Sequence, residues 1–101
     1  MEPGARSVYR TIAVLNGLAA HQGGIPLSDL ARELDLPVST THRILQVLVE
    51  MGIARRVEGP PKHYSIGPGT LGLALGAPIT RARLQAARPV LEDLARRTSE
   101  S

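Results

Sequence analysis

The stretch from Leu27 to Met51, LSDLARELDLPVSTTHRILQVLVEM, constrains this chain more than any other part of it. Two short helical patterns abut within it. Ser28 is a good N-cap for the first, and Asp29 in the first turn suits the helix dipole. Leu30, Ala31 and Leu34 form its inward face. Asp35 takes the turn, because Asp is among the few non-glycine residues that tolerate a left-handed backbone. Pro37 fits the first position of the second helix, which is expected over residues 37–51. Thr41, Ile44, Leu45 and Leu48 then point inward. Ser39, Thr40, His42, Arg43 and Gln46 are left facing outward, and Gly52 ends the helix.

The flanks complete the pattern. Met1 to Arg6 reads as a disordered lead-in. From Ser7, a plausible N-cap, Val8, Ile12, Leu15 and Ala19 repeat at i, i+4, i+7 and i+11 and predict a helix with that face inward. Gly23-Gly24 and Pro26 stop it. Beyond the central pair, residues 53–57 and 62–66 read as strands joined by Glu58-Gly59-Pro60-Pro61. The two prolines cannot donate ladder bonds and belong at the loop tip. Thr70 to Leu75 predicts a short helix before Gly76 and Pro78. A longer helix is expected from Thr80, with Leu84, Ala87, Leu91 and Leu94 forming a coiled-coil-like seam and a kink or break at Pro89. That seam is expected to link two subunits or two domains.

The expected fold is mainly α with a small β-hairpin. It is a winged helix-turn-helix, a three-helix core plus wing, over residues 4–67. The helix-turn-helix itself covers 27–48 and the wing 53–66, and linker helices follow over 68–101. A chain of 101 residues accommodates one such domain plus an appendage. With two tyrosines and no Phe or Trp, the core must be built from Leu, Ile, Val and Ala.

A second helix of this kind can lie in the major groove of duplex DNA. Ser39 and Thr40 can donate to phosphate near the helix start, where backbone amides also favour an anion. Arg43, one turn on, can reach a base edge, and bidentate guanine is its commonest target. Gln46 could read adenine, Val38 could touch a thymine methyl, and His42 suits the phosphate side. Ser28 joins these candidate DNA contacts from the first helix. The wing offers Arg55, Arg56, Lys62 and His63 to phosphate or the minor groove. Strand alternation predicts that only one of Arg55 and Arg56 points outward. Tyr64 is expected to anchor the wing in the core, with its hydroxyl free for phosphate.

Other function classes find little support. Gly67-x-Gly69-x-x-Gly72 matches a dinucleotide-binding pattern, but no parallel βαβ unit surrounds it. Those glycines are expected to let the chain turn out of the wing. There is no cysteine, which excludes disulfides and thiolate metal sites. His21, His42 and His63 lack ligand spacing, so neither metal nor cofactor is expected. No nucleophile–base pair or carboxylate pair suggests an enzyme. No leader pattern and no long apolar window point to a membrane, so a cytoplasmic protein is expected. The net charge of +3 is modest. It leaves a rival reading open, a winged helix that serves as a protein-interaction module without specific DNA binding.

The sequence resembles the N-terminal domain of the IclR family of bacterial transcriptional regulators. The resemblance rests on SVYRTIAVLNGLA from Ser7, on LSDLARELDLPVSTTHRILQVLVEMG, on Tyr64-Ser-Ile-Gly-Pro, and on ARPVLEDLARRTSE near the C-terminus. It implies operator binding as a dimer or a dimer of dimers. It also implies a small-molecule effector that acts only through a C-terminal domain absent from this chain, which is expected to stop where that domain would begin. Two positions depart from the family pattern. Thr41 stands where an aliphatic residue is usual, and Asp35 where glycine is common.

Overall fold

A computed structural model describes residues 2–100, excepting the side chains of Leu91, Leu94, Ala95 and residues 97–100. The elements are α1 (Pro3–Ala19), β1 (Ile25–Pro26), α2 (Leu27–Leu34), α3 (Val38–Glu50), β2 (Ala54–Val57), β3 (His63–Ile66), α4 (Pro68–Ala74) and α5 (Arg81–Glu100). The architecture is mainly helical with a small antiparallel sheet, as expected of a winged helix.

The first helix departs from expectation in two ways. It begins at Pro3, so the segment expected to be disordered is helical from there, and Ser7 lies inside it rather than at its cap. Proline suits a first helical position because its missing N–H has no intrahelical partner there. The Ser7 carbonyl accepts a bond from Thr11 Oγ1 at 2.8 Å. The buried face is Val14, Gly17 and Leu18, while Val8, Ile12 and Ala19 are exposed. Gly17 explains the rotation. A Cβ there would lie 2.5 Å from Leu30 Cδ1, so the bare glycine lets α2 approach closely. Of the expected face only Leu15 packs against the core, and a glycine adds nothing to an apolar repeat, which is why periodicity centred on a face rotated from the buried one.

The central pair follows the sequence closely. Leu30 and Ala31 are buried on α2. That helix starts at Leu27 straight out of β1, so Ser28 sits in its first turn and does not cap it. Asp35 takes the left-handed conformation at φ 54°, and the Leu36 N–H reaches back to the Ala31 carbonyl at 3.0 Å. Pro37, the first residue of the expected helix, caps α3 from just outside it. Thr41, Ile44, Leu45, Val47 and Leu48 are its buried residues.

The sheet has three strands in the order β1-β3-β2. The expected hairpin pairs Arg55 with Ser65 and Arg56 with Tyr64. The additional strand pairs Ile25 with Tyr64 and Pro26 with His63. Two residues ending in proline carry no strand signal, yet proline is acceptable on an edge strand. Ile25, Ile53, Ala54 and Tyr64 join Val14, Leu18, Leu30, Ile44, Leu45 and Leu48 in one core. Burying each such aliphatic side chain contributes about 1.5–3 kcal/mol.

After the sheet, α4 starts hard against the turn between α3 and β2. The Gly69 N–H donates to the Gly52 carbonyl at 2.8 Å. A Cβ at Gly67 or at Gly69 would lie 2.6 Å from that same oxygen. Close backbone approach therefore accounts for these two glycines at the place where the chain leaves β3 for α4. The last helix, α5, continues through Pro89 to Glu100, so of the expected kink or break the break does not occur. It packs along α3 and against α1, support that outweighs the backbone bond lost at proline.

Candidate nucleic-acid interface

With its inward side committed to the core, α3 turns Val38, Ser39, His42, Gln46 and Glu50 to solvent. Ser39, His42 and Gln46 stand three and four residues apart, the spacing of a single helix face. Thr40 and Arg43 are half-buried on the flank of that strip. No side chain caps the start of α3, which leaves first-turn amides available to an anion beside Ser39. Thr41, one of the two residues that depart from the pattern noted in the sequence, resolves its polarity locally. Its Oγ1 donates to the Pro37 carbonyl at 3.0 Å.

Arg43 has a partner that the sequence did not reveal. Its Nη1 donates to Asp93 Oδ2 on α5, fifty residues away, in an ion pair. The Arg43 side chain is 27% exposed and that of Asp93 33%. Arg96 approaches the other Asp93 oxygen at 3.5 Å. A second contact from α5 lies at the far end of α3. Arg83 Nη1 donates to the Glu50 carbonyl at 3.4 Å and rests against Gly52. No local signal could have paired these residues, because both contacts depend on how α5 docks.

The wing places its cations as follows. Arg55 and Arg56 are both exposed, where only one was expected to face out. They point to opposite faces of β2, but β2 is a four-residue edge strand, so both long side chains reach water. Lys62 is exposed at the wing tip, and Ser28 is exposed on α2. His63 is half-buried, with Nδ1 enclosed and without a hydrogen-bond partner among the described residues. Tyr64 is only 3% exposed. It anchors the wing in the core as expected.

The expected seam divides. Ala87 is fully buried within this chain, whereas Leu84 is exposed. Leu91 and Leu94 complete it in the sequence, but their side chains lie outside the described residues. Among the described residues no cluster of His, Cys, Asp and Glu could hold a metal ion. No helix there is long and apolar enough to cross a membrane.

Comparison with known proteins bears on this arrangement. Residues 7–58 match the IclR helix-turn-helix domain. The transcriptional repressor IclR of Escherichia coli K12 is 30% identical over 96 residues, covering 95% of this chain and 35% of that protein. The regulator TtgV of Pseudomonas putida is 31% identical over 101 residues, covering 97% of this chain and 37% of its own length. A solved structure, that of HmgR from Pseudomonas aeruginosa, superposes with a TM-score of 0.62 at 34% identity, covering 69% of this chain and 30% of that one. The chain thus spans about a third of the length of these relatives.

Proposed function

This chain belongs to the IclR family of helix-turn-helix regulators, and from that premise we propose that it binds operator DNA with α3 in the major groove. The observation that carries the reading is the exposed strip Ser39, His42 and Gln46 on a helix whose other side is core. An α-helix with side chains is about 10–12 Å across, and the major groove is about 12 Å wide.

In this reading Ser39 and Thr40 hold phosphate at the start of α3. Arg43 and Gln46 read base edges, Val38 meets a thymine methyl, and His42 stands toward the backbone. Arg55, Arg56 and Lys62 provide counter-charge to flanking phosphates, with His63 and Ser28 as lesser contacts. Phosphate contacts set affinity and register, whereas groove contacts set sequence preference. The chain acts by binding in the cytoplasm, without catalysis. It pairs as a homodimer on a two-fold symmetric site, and any small-molecule effector acts through a further domain.

The experiment is a selection of bound duplexes from a random pool, followed by fluorescence anisotropy on the recovered site. Affinity is expected to fall steeply between about 50 and 200 mM salt as condensed counterions are released. A dimer predicts half-sites about one helical turn apart. Absent or salt-insensitive binding would instead favour a protein-interaction module.

A further inference from the structure

The ion pair between Arg43 and Asp93 joins the helix proposed to read bases to a helix outside the helix-turn-helix. We propose that Asp93 competes with DNA for Arg43, so that docking of α5 on α3 and base reading by Arg43 exclude one another. The inference rests on the reading of α3 given above.

The geometry supports competition in three ways. First, α5 is held to α3 at two separate points. Arg83 grips the C-terminal end through the Glu50 carbonyl, and Asp93 grips the middle through Arg43. From Arg83 to Asp93 the chain advances along α5, while the contacts retreat along α3 from Glu50 to Arg43. The helices therefore run antiparallel, and the Arg43 contact belongs to a docked helix rather than to a stray side chain.

Second, the two contacts compete for one planar head. A bidentate guanine contact needs two guanidinium donors in a fixed fork aimed at the base edge. Asp93 already takes Nη1, which leaves the Nε–Nη2 fork and turns the head toward α5. A carboxylate at the edge of the groove-facing strip also repels the phosphates that a bound duplex would bring close.

Third, exchange leaves no stranded charge. Arg96 already stands 3.5 Å from Asp93 Oδ1. When Arg43 turns to a base, Asp93 keeps a cationic neighbour. The strip of Ser39, His42 and Gln46 and the wing cations Arg55, Arg56 and Lys62 are exposed with this pair closed. The duplex can therefore be met before the pair opens, and the pair governs sequence discrimination more than first contact.

The test is a double-mutant cycle on the full chain, read by anisotropy on the selected duplex and on a random duplex. Asp93→Asn keeps the side-chain shape and is expected to tighten binding to the selected site about fivefold. In the Arg43→Ala background the same change is expected to do less than about twofold, because the shared partner is gone. Equal tightening in both backgrounds would reveal a general charge effect and overturn the proposal. Unchanged or weaker binding by Asp93→Asn, beside a weakened Arg43→Ala, removes the competition alone. An Arg43→Ala chain that binds as well as the unaltered one removes the base-reading role and the competition together. Amide hydrogen exchange on the unaltered chain gives an independent readout. Protection along α5 is expected to fall when the selected duplex is bound, and unchanged or increased protection contradicts the proposal.

Discussion

Thr41 donates its hydroxyl to the carbonyl of Pro37, one turn earlier at the entrance to α3. The same carbonyl accepts the Thr41 N–H at 3.0 Å, so it keeps a partner if the hydroxyl is removed. Thr41→Val exchanges a buried hydroxyl for a methyl of similar size. The lost bond, worth about 0.5–1.5 kcal/mol, is offset by apolar burial. Stability in urea is expected to stay within about 1 kcal/mol. A loss above about 2 kcal/mol would show that the hydroxyl bond itself holds the turn.

Arg43→Ala should weaken binding to the selected operator by about 1–3 kcal/mol, the scale of one bidentate base contact. Random duplex should lose much less. Gel-shift titrations of both duplexes separate the outcomes, and equal losses would reassign Arg43 to the phosphate backbone.

Lys62 stands exposed at the wing tip. Lys62→Ala is expected to weaken every duplex alike and to flatten the salt slope by about 0.9, the value of one released phosphate contact. An unchanged slope would place the wing tip away from DNA.

Gly69 sets two effects against each other. In the first turn of α4, replacing glycine with alanine gains up to about 1 kcal/mol in helix propensity. The added Cβ, however, would lie 2.6 Å from the Gly52 carbonyl oxygen and 2.9 Å from its carbon. Neither is the end of a flexible side chain, so the steric cost wins. Gly69→Ala is expected to lower stability by about 1–3 kcal/mol. Gly23→Ala, with nothing within 4 Å of its Cβ, should be close to neutral. Thermal melting of the two variants tests the contrast, and a stable Gly69→Ala would refute it.

Local rules carried the sequence reading through Leu27 to Met51, because each signal there acts within one or two turns. Asp35 could be assigned a left-handed backbone from its residue type alone, and it has one. Ile44, Leu45 and Leu48 could be assigned to the core from spacing, and they are buried. Where packing decides, those rules fell short. The rotation of α1 is set by the gap at Gly17, which a count of apolar residues passes over. Both Arg55 and Arg56 reach water because β2 is an edge, a property of the sheet rather than of the strand. Asp93 gained its place beside Arg43 only through the docking of α5, across fifty residues of chain.

The two residues of β1 decide how the wing behaves. Ile25 and Pro26 bind β3 on the side away from β2, and α2 begins at the very next residue. The wing is thus not a flap hung from its own hairpin but an arm braced at the shoulder of the helix-turn-helix. The span between the exposed strip of α3 and the wing cations is set when the chain folds. In the proposed complex, much of the ordering that a loose hairpin would have to undergo on a duplex is completed before the duplex arrives.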